Sequence, residues 1–319
     1  MSLSNSTWTE KYRPSSLESM ALPAEIRDFF SSLLSGRHAL PNIILHGPPG
    51  SGKTTLALIL ANSLSRKESI LELNASSDRE ISAIRGKIKT FAAAKSHSGE
   101  VKIIIMDECD YLTTDAQHCL RRIIEDTHKN TRFVFITNYI NKVIDPIKSR
   151  LVPLHIPWTG SSESVNILSR IKEKEKLNIT REDIEYILEI TEGDMRRSLV
   201  LLQTVGACKV APGEHRNIIA EIAGIVPNDI LKSVISVQTV PEIVELSNKI
   251  SREGYSALDV VQGLSKYLVQ MEPITKPMQR LFVTLANCEE EIMCGGNDTV
   301  YLSRIIASAA NILHPQGIN

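Results

Sequence analysis

The sequence predicts an α/β layer with a mostly parallel sheet, followed by an all-helical second half. Three observations carry this. Short β-rich runs alternate with helical stretches up to residue 156, no such run follows Pro157-Trp158, and a glycine-rich loop sits between the first run and the helix after it. The runs are 42–46 (NIILH), 70–74 (ILELN), 101–106 (VKIIIM), 132–137 (RFVFIT) and 151–156 (LVPLHI). The third and fourth are almost unbroken apolar stretches, as strands covered on both faces are. Their starts are 28, 31, 31 and 19 residues apart, which leaves room for a crossover helix each time. Two of those helices show apolar residues at helical spacing, over 54–64 and 115–125.

From 159 onward only helices are predicted: 164–176, 181–189, 195–207, 215–223, 228–237, 240–253, 256–271, 276–294 and 299–313. Asp194, after Gly193, is a candidate N-cap. A length of 319 residues gives about two domains at about 150 residues each, or three smaller ones. The polar connector 159–163 and a break near 224–228 divide the chain into 1–158, a small helical domain at 159–224 and a second at 225–319.

Composition excludes several classes. Hydrophobic residues at 42% and charged residues at 23% are ordinary globular usage, unlike a disordered or fibrous chain. Aromatics at 5% argue against an aromatic-rich sandwich or barrel. The longest apolar runs fall far short of the roughly 18 residues that span a bilayer. The N-terminal MSLSNSTWTEKYRP has no signal-peptide core, so a soluble intracellular chain is expected. Five cysteines with no CxxC pair predict reduced thiols rather than a disulfide framework or zinc site. Residues 1–158 carry 20 Lys and Arg against 16 Asp and Glu, and 159–319 carry 16 against 21. The +4 first half permits a polyanion partner, although chance gives such an excess too.

The strongest chemical signal is Gly47, Pro48, Pro49, Gly50, Ser51, Gly52, Lys53, Thr54, directly after the first strand and opening a helix, with Thr55 next. This is G-x-x-x-x-G-K-[ST] in its strand–loop–helix context. Glycines let backbone N–H groups approach phosphate oxygens, and the helix N-terminus adds a positive dipole end. Lys53 reaches the β- and γ-phosphates and the Thr54 hydroxyl ligates Mg2+. Asp107 and Glu108 end the third strand on the side where parallel sheets bind ligands. Asp107 suits the Mg2+ shell and Glu108 the general base for a water, against the alternative of a solvated acidic turn. Asn138 ends the next strand, where it orients water or merely makes a turn. Arg150 reads from spacing alone as a surface arginine; pointed into a neighbour's nucleotide, it is an arginine finger. Arg196, in the helix opened by Gly193-Asp194, swings over the phosphates or is ordinary helix charge.

WTEKYRP (8–14), GPPGSGKT (47–54), LELNASSDRE (71–80), IIIMDECD (103–110), LRRIIE (120–125), TNY (137–139), IDPIKSR (144–150) and EGDMRRSL (192–199) follow in order. The string resembles the small subunits of replication factor C, the AAA+ clamp loader of eukaryotes and archaea. The resemblance is strong over 8–205 and weaker beyond, where EIAGIVPNDIL (221–231) is similar to a eukaryotic small-subunit segment. It implies an AAA+ nucleotide-binding domain, a helical lid and a helical collar for oligomerisation. It also implies a hetero-pentamer with related subunits, a ring-shaped sliding clamp and primer–template DNA as partners, ATP and Mg2+ as cofactors, and a nuclear location. Thr9 and Arg13 then line the adenine side, Asn138 reads the γ-phosphate, Arg196 is a second sensor and Arg150 acts in trans. Arg79, Arg85 and Lys89 stand where the family contacts template phosphates, a role that competes with plain solvated helix charge. Clamp contact is expected near 125–130.

Four positions depart from the family pattern. Leu151 follows Ser149-Arg150 where Cys is usual, Glu80 follows Asp78-Arg79 where Gly is usual, Thr9 replaces Val, and Cys109 makes DECD of DEAD. Glu80 weakens the case for Arg79 at a phosphate. Two rivals stand beside the loader: another AAA+ DNA motor or remodeller, and a scaffold subunit that binds ATP without hydrolysing it.

Overall fold

The computed structural model describes residues 7–76, 81–94, 101–158, 161–208, 215–271 and 273–314, and of 81–85 and 161 only the backbone. The chain forms two compact units, Met1–Lys209 and Val210–Asn319.

The first unit opens with a short helix, α1 (Trp8–Lys11), and α2 (Ala24–Leu34). Strands and helices then alternate: β1 (Ile43–His46), α3 (Lys53–Leu64), β2 (Ile70–Asn74), α4 (Ile81–Ala93), β3 (Lys102–Asp107), α5 (Thr114–Thr127), β4 (Thr131–Thr137), α6 (Asp145–Lys148) and β5 (Val152–His155). All four strand pairings are parallel, in the order β2-β3-β4-β1-β5. The continuous apolar runs β3 and β4 lie in the interior of the sheet, and β5, which carries Pro153, lies at its edge. An edge suits a residue with no N–H to give to a second neighbour.

Side chains on each strand alternate between two cores. Ile44, Ile104, Met106, Phe133 and Phe135 pack on one face with Leu120, Ile123 and Ile124 of α5 and Ile88 of α4. Ile43, Leu45, Ile103, Ile105, Val134 and Ile136 pack on the other with Phe30 and Leu33 of α2 and Leu56 and Leu60 of α3. The strands match the sequence reading to within a residue, whereas α2 and α4 had not been singled out.

Three helices complete this unit: α7 (Ser161–Glu175), α8 (Arg181–Ile190) and α9 (Met195–Ala207). Thr180 and Asp183 form a capping box at α8, and Asp194 caps α9 by accepting from the backbone N–H groups of Arg196 and Arg197. The second unit holds α10 (His215–Ile222), α11 (Asn228–Ser236), α12 (Val240–Arg252), α13 (Ala257–Gln270), α14 (Lys276–Met293) and α15 (Asp298–Leu313). The division between the units thus falls at 209/210, ahead of α10, which the sequence reading places in the small helical domain at 159–224. The second unit has its own core, with Leu264, Leu281, Leu302, Ile305 and Ala309 fully buried. No helix among the described residues is long and apolar enough to cross a membrane. The five cysteines are all unpaired thiols, and the described residues contain no cluster of metal-binding side chains of His, Cys, Asp and Glu.

Candidate nucleotide site

Residues from both parts of the first unit enclose a cavity of about 250 Å3 at the C-terminal ends of β1, β3 and β4. Of the loop 47–52, residues 49–52 line it, while Gly47 and Pro48 do not. Gly47 has φ 151° and a Cβ there would fall 2.1 Å from the Ile156 carbonyl oxygen; Gly50 has φ 71° and a Cβ would fall 1.9 Å from Asp194 Oδ1. Glycine at 50 therefore supplies the left-handed turn and also admits the α9 cap against the loop. Trp158 adds a second tie by donating from Nε1 to Pro49 O at 3.1 Å.

Lys53 is only 6% exposed, and its Nζ donates to Gly47 O at 2.9 Å and Pro48 O at 2.7 Å. Burial pulls its pKa down to about 8, against the opposing charges of Asp107, Asp110 and Asp194. Thr54 Oγ1 donates to Asp107 Oδ2 at 2.8 Å, while Asp107 Oδ1 accepts from the Glu108 backbone N–H at 2.8 Å. Glu108 takes a left-handed φ of 56°, a conformation a non-glycine residue holds only when its surroundings fix it. Both carboxylates line the cavity, as do Thr137 and Asn138. Thr137 is buried and braces this edge: its hydroxyl donates to Asp110 Oδ1 at 3.2 Å and accepts from the Tyr139 N–H at 3.1 Å. Gln117 ties α5 to the following turn, donating to Leu112 O and Lys142 O and accepting from the Ile144 N–H.

Thr9 and Arg13 line the opposite wall, and Arg196 reaches the cavity from α9. The N-terminal segment is pinned to α7, because Lys11 and Tyr12 both donate to Glu175. These two donors hold the Glu175 carboxyl below the usual carboxylate range. An apolar wall of Met20, Ile167, Ile171 and Leu199 completes the site. Nothing in the sequence marks these four as site residues, since Ile167 and Ile171 at (i, i+4) read like any core pair. The P-loop residues Pro49 to Thr55, with Asp107, Glu108, Asn138, Thr9, Arg13 and Arg196, are thus brought around one cavity. Arg150 is not among the lining residues and is half-buried, where the sequence suggested an exposed side chain. Lys89 is exposed on α4; Arg79 and the Arg85 side chain lie outside the described residues.

The sheet, phosphate loop and carboxylate pair define a P-loop ATPase of the AAA class. The model of the "ATPase family associated with various cellular activities (AAA)" matches residues 43–155, the span from β1 to β5. The model of the "Replication factor C C-terminal domain" matches residues 226–308. Replication factor C subunit 2 of Saccharomyces cerevisiae is 33% identical, covering 98% of this chain and 94% of that protein. Replication factor C subunit 4 of Encephalitozoon cuniculi is 35% identical over 82% and 85%, and the small subunit of Methanococcus maripaludis 33% over 94% and 97%. The chain belongs to the replication factor C small subunits, the ATPase subunits of the clamp loader in DNA replication. The RuvB branch migration motor of Thermotoga maritima shares the fold, with a TM-score of 0.56 at 21% identity over 81% of this chain and 91% of that one.

Proposed function

We propose that this chain binds and hydrolyses ATP within a hetero-pentamer that opens a ring-shaped sliding clamp and closes it on primer–template DNA in the nucleus. The observation that carries the reading is the complete hydrolytic set around one cavity, Lys53, Thr54, Asp107, Glu108 and Asn138, with Arg150 outside it.

The backbone N–H groups of the loop cradle the phosphates of ATP at the N-terminus of α3. Lys53 exchanges its two carbonyl acceptors for the β- and γ-phosphates. Thr54 Oγ1 and the Asp107 carboxylate, 2.8 Å apart, are hard oxygen donors that fit Mg2+ and would hold it. When bound, Mg2+ neutralises phosphate charge. Glu108 accepts the proton of the attacking water, and Asn138 orients that water. The base packs on the apolar wall between Thr9, Arg13, Ile171 and Leu199, and Arg196 brings α9 onto the phosphates.

Arg150 serves the ATP of the next subunit, which makes hydrolysis depend on assembly. The lid of α7–α9 responds to nucleotide, and residues 225–319 form the collar that holds the ring. Nucleotide, clamp and DNA together favour the assembled spiral, and ADP releases it, a shift of populations. Lys89 on α4, with Arg85 one turn before it and Arg79 upstream, contacts template phosphates and reads duplex shape without reading bases. The end of α5 faces the clamp.

A tagged chain captured from its own cells with a slowly hydrolysed ATP analogue tests the reading. Recovery of several related AAA+ chains and a ring clamp is the expected outcome; recovery of this chain alone as a homo-oligomer refutes the loader. Arg150→Ala should slow hydrolysis at the neighbouring site and leave nucleotide binding at its own site intact.

A further inference from the structure

Arg150 follows α6 and reaches sideways to the end of α5. Its Nη1 donates to Pro146 O at 2.7 Å and to Ser149 Oγ at 3.1 Å, and its Nη2 lies 2.5 Å from Glu125 Oε1 in an ion pair. The same Glu125 oxygen accepts from Arg121 Nε at 3.2 Å. One carboxylate thus sits between two guanidinium groups, and Arg121 and then Arg150 hold it below the usual carboxylate range.

A guanidinium carries five N–H donors. Two on Nη1 are used within the subunit and one on Nη2 faces Glu125. Nε and the second Nη2 hydrogen have no acceptor among the described residues. The head is therefore held by its own chain while two donors stay available, the number with which arginine grips a phosphate. An unheld arginine freezes its rotamers at the moment of contact; one already held has met that entropy cost on folding.

We infer that Glu125 is a positioning residue for Arg150, holding the guanidinium in place to meet the triphosphate of a neighbouring subunit. The inference rests on the trans role of Arg150 proposed above. The carboxylate lies on the exposed end of α5, so it touches no reacting atom of its own site. Arg121 balances its charge, so that a cluster carrying Glu125 is still net positive toward an incoming phosphate.

The test is steady-state ATP hydrolysis by the complex isolated through a tag on this chain, without clamp. The wild type is compared with Arg150→Ala, Glu125→Ala, Glu125→Gln and the double variant of Arg150→Ala with Glu125→Ala. The share of hydrolysis that Arg150→Ala removes is the share this finger controls. Glu125→Ala should cut that share about two- to fivefold in kcat, the range of an exposed ion pair. KM for ATP should not move, Glu125→Gln should restore part of the loss, and the loss should vanish in the Arg150→Ala background. An unchanged or raised rate in Glu125→Ala overturns the inference, and so does a loss that persists without Arg150. If Arg150→Ala removes nothing, the trans reading itself fails, a result distinct from either.

Discussion

The buried lysine of the phosphate loop makes nucleotide affinity pH-dependent in an unusual window. Lys53 titrates near 8 because burial disfavours its charge, and the phosphates of a bound nucleotide restore that charge. At pH 7 about nine-tenths of the free protein carries the proton that binding needs; at pH 9 about one-tenth does. The apparent Kd should weaken about tenfold from pH 7 to pH 9. Fluorescent nucleotide titrations at constant ionic strength read this directly. Lys53→Arg keeps its charge throughout, so its slope removes every other titration, including that of the phosphates. A wild-type slope equal to that of Lys53→Arg refutes the argument.

The same shift acts on stability with a defined sign. The folded chain releases the Lys53 proton near 8 and the unfolded chain near the ordinary 10.5, so between those values the unfolded state binds more protons and stability rises with pH. Below 8 the charged, buried lysine costs up to about 3 kcal/mol. Lys53→Met should therefore raise the thermal midpoint of the protein without nucleotide at pH 7 by several degrees, while abolishing ATP binding. Unaltered ATP affinity in that variant would remove the phosphate-loop assignment.

Three other outcomes are expected. Gly50→Ala places a Cβ against Asp194 Oδ1 and forces a left-handed alanine that costs about 1–2 kcal/mol. Nucleotide affinity should fall at least about tenfold by calorimetry; adding Asp194→Ser, which shortens the side chain and keeps a cap, should recover part of it. Thr54→Ala should leave nucleotide bound but abolish the difference in affinity between Mg2+ and EDTA, since the hydroxyl beside Asp107 is gone; a preserved difference would place the ion elsewhere. Leu281→Ala, at a fully buried position of the C-terminal core, should lower the stability of that unit by about 2–5 kcal/mol in denaturant titration of the whole chain.

Several features of this protein are written in neighbouring residues and can be read from them directly. Strand positions were legible because strands covered on both faces must be apolar at nearly every position, as 103–106 and 133–136 are. The phosphate loop was legible because close approach to phosphate demands glycine, lysine and a hydroxyl at fixed spacing in eight consecutive residues. The cap at Asp194 was legible for a similarly local reason. The order β2-β3-β4-β1-β5 was not, because crossover connections of this length admit several orders. Helix α2 was not singled out, although Ile26, Phe29, Phe30, Leu33 and Leu34 recur at the i, i+3, i+4, i+7 and i+8 spacing of an amphipathic helix; what is not local is the sheet face that buries Phe30 and Leu33. Only the tertiary structure put Asp194 on Gly50, Ile167 and Ile171 on the wall of the cavity, and Glu125 beside Arg150. Those pairs lie 144, 25 and more residues apart or share the spacing of any amphipathic helix. Local chemistry is written in adjacent residues; the surroundings that shift a lysine or hold a guanidinium come from distant segments that packing alone brings together.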